Sequence, residues 1–324
     1  MLRTRSFALG AAALLALAAC GKKSDKDKAA GPAPTAPAPT APPATTPPPP
    51  PPPPPPAAYS PDAAKQLIGK LGGSDCAVSD DCEAYKTLVG FGPKAEPDLL
   101  AALSDPAVSN DGKRMAAEAL GAMKAADAGP KLVELGMASD DVVVESDLFK
   151  AAGECGGKPT FDALIAAYAK AIASTDDDHD VPLRDGLRAF PADSVAWAMD
   201  QLSKVKKGTD ATGYADLVTD SASAADLPGI VDALGKSKDV MVRDRLAAKA
   251  IELGDTAHFD VFVAGLSSKD EYDRSDAANF LAEVADKAPA DVKPKLVDLL
   301  QKGKAADQGG LTAQGYDEAL KKLQ

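Results

Sequence analysis

The chain has 324 residues, with 36 Lys and Arg against 48 Asp and Glu for a net charge of −12, 45% hydrophobic and 5% aromatic residues, and only 4 Cys, 2 His and 1 Trp. At this length four cysteines exclude a small disulfide scaffold, and the composition excludes a collagen and a polytopic membrane protein. The acidic excess argues against nucleic acid as a partner, because phosphate binding needs clustered positive charge.

Met1 to Arg5 is short and basic, and Phe7 to Ala19 is an apolar run too short to cross a bilayer of roughly 30 Å as a helix. Residues 1–19 therefore read as a secretory signal. The run closes on Leu17-Ala18-Ala19-Cys20, which resembles the bacterial lipobox. The resemblance implies cleavage before Cys20 and acylation of that cysteine, and several acyl chains on one residue hold a protein on a membrane. The next residue is Gly21 and not the Asp that retains many lipoproteins at the inner membrane. The expected location is thus the bacterial cell envelope, at the outer membrane, on its periplasmic face or at the cell surface. An ordinary signal peptide with an accidental cysteine, or an uncleaved anchor, is the alternative.

Residues 20–60 are expected to be a disordered tether. Gly21 to Lys28 is polar, and the stretch from Gly31 onward is almost wholly Pro, Ala and Thr, with ten consecutive prolines from Pro47 to Pro56. Such a composition cannot form a packed core. Proline fixes φ and removes the amide donor, so the run should be polyproline II, a stiff spacer on the order of 75 Å from Pro32 to Pro56.

Beyond residue 60 the apolar residues recur at i, i+3, i+4 and i+7, the stripe of an amphipathic helix, and the stripe itself returns about every 32 residues. Its last positions are Leu71, Leu103, Gly136, Tyr168, Leu202, Leu234, Leu266 and Leu300, with gaps of 32, 33, 32, 34, 32, 32 and 34. Pro97, Pro130, Pro228 and Pro294 each precede such a position by six residues, where a first helix should begin and a missing N–H is harmless. A polar turn and a second periodic segment follow, as in Asp239 with Val242, Leu246, Ala250 and Leu253, where Asp239 is placed to cap the second helix. The one β-branched run, Val142 to Val144, falls where a second helix is due and reads as its buried face.

Two-helix units of this length resemble HEAT-like repeats, most clearly in Leu227 to Leu234 and Asp239 to Ala247. The resemblance implies an all-α fold over residues 61–324, a right-handed α-solenoid of about eight helix-turn-helix repeats in which stacking buries what one unit leaves exposed. Pro182 and the Gly208 to Gly213 turn depart from the pattern. Asp180/Arg184, Asp239/Arg243 and Asp270/Arg274 share an offset of four at equivalent places. In HEAT-like families such residues form a ladder between successive repeats, and the resemblance implies the same role here. Alternatively Arg184, Arg188, Arg243 and Arg245, on second helices lining a concave face, offer donors to an acidic ligand.

Cys76 and Cys82 lie in the turn of the first unit, and export to an oxidising compartment favours a bridge between them. Cys155 competes as a partner but reads as a buried thiol at the end of a packed helix. Asp176-Asp177-Asp178-His179-Asp180 has the oxygens a hard cation needs but not the EF-hand spacing, so it reads as a solvated turn, with Asp176, Asp178 and Asp180 as weak cation candidates. There is no GxSxG, HExxH, phosphate loop or dinucleotide fingerprint, so neither a cofactor nor catalysis is expected. Export also weighs against a HEAT-like enzyme such as a chromophore lyase. The sequence thus points to a membrane-anchored, non-enzymatic scaffold that binds another cell-envelope protein. A small-ligand or cation-binding envelope protein using residues 176–180 is the alternative.

Overall fold

The computed structural model describes residues 58–174, 179–205, 209–307 and 312–324, all within one compact unit. The expected signal, Cys20 and the proline run lie outside the described residues, as do Asp176 to Asp178.

Sixteen α-helices, with no strand among the described residues, form eight consecutive pairs. They are α1 (Pro61–Ile68) with α2 (Glu83–Phe91), α3 (Glu96–Ser104) with α4 (Asn110–Ala122), α5 (Gly129–Met137) with α6 (Val142–Cys155), and α7 (Lys158–Ala173) with α8 (Asp180–Leu187). The series continues with α9 (Pro191–Lys204) and α10 (Thr209–Ser221), α11 (Leu227–Lys236) and α12 (Val240–Glu252), α13 (Phe259–Leu266) and α14 (Glu271–Val284), and α15 (Lys293–Ala306) and α16 (Thr312–Leu323). The chain is an all-α repeat solenoid.

Local chemistry sets the punctuation. Every first helix except α13 carries proline at its first or second position, where no intrahelical donor is required. Ser109, Asp141, Asp239 and Asp270 cap second helices by accepting from backbone N–H groups two or three residues on. Pro182, which departs from the repeat pattern, is the third residue of α8 and therefore still in its first turn. Gly213 lies inside α10, where its carbonyl accepts from the buried Tyr168 hydroxyl at 2.6 Å.

The eight pairs share one apolar core running from Ala64 to Leu323. Leu71, Leu103, Gly136, Tyr168, Leu234, Leu266 and Leu300 are buried, and Leu202 is half-buried against the same core. Gly136 can hold its position because Phe149 fills the space, and a Cβ there would lie 2.5 Å from the Phe149 ring. The three valines that open α6 do not form one buried face. Val144 is buried, whereas Val142 and Val143 are 66% and 51% exposed. Successive helical residues are about 100° apart, so three in a row cannot share one inward stripe.

The two layers differ. Second helices pack in an unbroken series, each of α2, α4, α6, α8, α10, α12 and α14 on the next, whereas the extensive first-helix contacts are α1 with α3, α5 with α7, α9 with α11 and α13 with α15. Small residues allow close approach. Gly153 of α6 faces Gly186 of α8, and a Cβ on either would overlap backbone of the other helix.

A disulfide joins Cys76 and Cys82, whose Cα atoms are 4.5 Å apart, in the turn between α1 and α2. Cys155 is buried and free, and burial together with Glu96 and Glu154 pushes its thiol up to about 12. Thiol counting on unfolded, unreduced residues 58–324 is expected to find one reactive group, and three would contradict the bridge.

Candidate functional site

The second-helix layer carries a ladder of charged and polar side chains, each rung joining neighbouring repeats. Arg114 of α4 donates to Asp147 of α6 and to Asp111 on its own helix at 3.2 Å, while Asn110 donates to Asp141 at 2.7 Å. His179, which precedes α8, pairs through Nδ1 with the buried Glu145 of α6 at 2.6 Å. Arg184 of α8 donates to Asp220 of α10 at 2.9 Å. Arg188, more exposed, reaches the same carboxylate at 3.3 Å and also pairs with Asp185.

Arg245 of α12 is the most enclosed rung, its side chain only 11% exposed. It donates through Nε to Asp216 of α10 at 2.6 Å and through Nη1 to Asp276 of α14 at 2.7 Å, so one cation ties three repeats together. Its guanidinium carbon also lies 4.7 Å from the centre of the Phe280 ring. Burial pushes the Asp276 carboxyl up to about 6, and the Arg245 cation opposes that rise. Arg274 of α14 donates through Nε to the buried Asp307 at 3.1 Å and also through Nη2, and the Tyr316 hydroxyl of α16 donates to Asp307 at 2.5 Å. The Arg274 bonds, with that from Tyr316, hold the Asp307 carboxyl below its ordinary range despite burial.

This arrangement redistributes the roles expected from the offset of four. Asp239 and Asp270 cap their own helices, accepting from Val242 N at 3.2 Å and from Tyr272 N at 2.8 Å. Asp180 sits in the first turn of α8, half-buried. Arg184 and Arg274 bridge outward instead to Asp220 and Asp307 of the next repeat, and in the sixth repeat it is Arg245, not Arg243, that reaches Asp276. Arg243 is half-buried and its Nε has no hydrogen-bond partner. Arg184, Arg245 and Arg274 spend donors on these bridges and so hold helices together, although the Nε of Arg184, like that of Arg243, is buried without a hydrogen-bond partner. The bridging aspartates lie about one repeat from their arginines, 33 residues for Arg114 to Asp147 and again for Arg274 to Asp307. That spacing was the available signal, and a search along single helices misses it.

Two hollows open on this layer. One of about 410 Å³ between α2, α4 and α6 is lined by Tyr85, Arg114, Glu118, Asp147, Lys150 and Glu154 among others. Burial, with Glu118 and Glu154 nearby, pushes the Tyr85 hydroxyl up to about 12. The other, about 220 Å³, is lined by Arg184, Asp216, Asp220, Arg245, Lys249 and Glu283 among others. Among the described residues no group of three or more His, Cys, Asp or Glu side chains is placed to hold a metal ion. The cation candidates Asp176 and Asp178 lie outside the described residues.

No family model matches the chain, and no curated protein matches it. Among solved structures it is similar to the complex of CpcE and CpcF of phycocyanin lyase from Nostoc sp., at 19% identity over 83% of this chain and 96% of that one, with a TM-score of 0.28. It is similar to human deoxyhypusine hydroxylase in complex with glycerol, at 17% identity over 81% of this chain and 97% of that one, with a TM-score of 0.30. An engineered protein matches at 18% identity over 80% of this chain and 78% of that one, with a TM-score of 0.32. The expectation that the chain is not an enzyme is corrected here. A lyase complex and a hydroxylase are among the structures it is similar to, and a fold by itself does not decide for or against catalysis.

Proposed function

We propose that the chain is a lipid-anchored helical-repeat scaffold of the bacterial cell envelope, which docks another envelope protein on its second-helix layer. The observation that carries this reading is the contrast between the two kinds of charge on that layer. Arg184, Arg245 and Arg274 are locked into inter-repeat bridges, while Glu118 and Lys150 stand exposed beside a hollow of about 410 Å³. Fixed bridges along the layer, with exposed charges beside its hollow, give a partner a preorganised polar surface, which lowers the ordering cost of binding.

The anchor and the partner are tested separately. Metabolic labelling with palmitate is expected to mark the full chain and to fail on Cys20→Ser, and equal labelling of both would refute the anchor. In-cell crosslinking is expected to recover an envelope protein with the full chain that residues 1–60 alone do not recover. Identical recovery by the two would refute the docking role.

A further inference from the structure

The junction of the sixth and seventh repeats holds a carboxyl that the ladder does not use. Asp244 of α12 has no exposed surface, and neither of its carboxylate oxygens has a hydrogen-bond partner. It is pressed against α13 and α14. A Cβ built on Gly265 of α13 would lie 2.7 Å from the Ala277 Cβ of α14 and 3.0 Å from Asp244 Oδ2, so the site has no spare room. The charged groups around it are Asp276 and Asp273 of α14 and Arg243 and Arg245 of its own helix, while α13 presents Gly265. Arg245 is already shared between Asp216 and Asp276. An ionised carboxylate in a close-packed site without donors is strongly disfavoured, whereas the neutral acid is tolerated.

We propose that Asp244 is a pH-sensitive latch between the sixth and seventh repeats, closing the junction of α12, α13 and α14 when protonated and loosening it when ionised. Burial, reinforced by Asp276 and opposed by Arg245 and Arg243, pushes this carboxyl up to about 8. In the unfolded chain the ordinary value is about 3.9. Between those two values the folded junction holds a proton that the open chain has released, so junction stability falls as pH rises from about 4 to about 8 and is level above. Arg245, Phe280 and Glu283, which line the smaller hollow, ride on the same two helices. Loosening the latch therefore alters the second-helix face.

Hydrogen exchange on the full chain at pH 5.5, 7.0 and 8.5, corrected for intrinsic rates, tests this directly. Residues 240–284 are expected to exchange at least tenfold faster at pH 8.5 than at pH 5.5, with residues 61–155 unchanged. Asp244→Asn, which cannot ionise, is expected to abolish that difference. The same acceleration in Asp244→Asn, or none in the wild type, would overturn the proposal. Should the variant fail to fold, carboxyl-carbon NMR of the wild type decides. An Asp244 signal titrating above pH 7 is expected, and one titrating below would overturn the latch.

Discussion

Replacing Arg245 with alanine is expected to destabilise the chain by about 3–5 kcal/mol, because it strands two carboxylates on the second-helix layer at once. Asp216 and Asp276 both lose their cation, and their side chains are only 24% and 14% exposed. The loss of the Phe280 contact adds a smaller amount. The effect carries a pH signature. Without Arg245 the Asp276 carboxyl, already pushed up to about 6 by burial, rises further above its unfolded value. The folded variant then holds a proton through neutrality that the unfolded chain has lost, so its deficit grows from pH 5 to pH 8. Urea denaturation at both pH values measures this. Arg188→Ala is the control, since that side chain is 53% exposed and surface pairs contribute about 0–1 kcal/mol. Equal losses from the two substitutions would contradict a structural role for the enclosed rung.

Leu234→Ala should cost about 2–5 kcal/mol, since this side chain closes the stripe of α11 and is 3% exposed. Leu202→Ala, at the equivalent position one repeat earlier, is expected to cost less because Leu202 is only half-buried. A midpoint shift within experimental error for Leu234→Ala would place that residue outside the shared core.

The helical architecture was legible because it rests on properties that a sequence displays openly. An apolar stripe returning at intervals such as Leu234 to Leu266, with proline opening the first helices at Pro97, Pro130, Pro228 and Pro294, needs no tertiary knowledge. Gly136 kept the register although it has no side chain, and only the structure shows why, with Phe149 of the neighbouring helix filling the gap. Val142 and Val143 misled because hydrophobicity was read without phase. At the first two positions of α6 they face outward, and Val144 alone turns in.

The site was harder to read, for a physical reason. Pairs such as Asp239/Arg243 look coupled along one helix, yet the stabilising partner of a second-helix arginine lies in an adjacent repeat, about one repeat length away. Arg274 thus meets Asp307, and Arg245 meets both Asp216 and Asp276. Asp244 was hidden in plain view. Between Arg243 and Arg245 it has the look of a solvated helical face, and only the close approach of Gly265 to it shows that it is buried.

Photo-crosslinking from single positions in living cells tests most directly whether the second-helix layer is the docking surface. A photoreactive residue at Glu118 or Lys150, both exposed on second helices beside the larger hollow, is expected to capture an envelope protein. The same residue at Lys131 or Lys158, exposed on first helices, is expected to capture none. Capture from Lys131 and Lys158 with none from Glu118 and Lys150 would show that the ladder faces no partner, and docking on the second-helix layer would have to be abandoned.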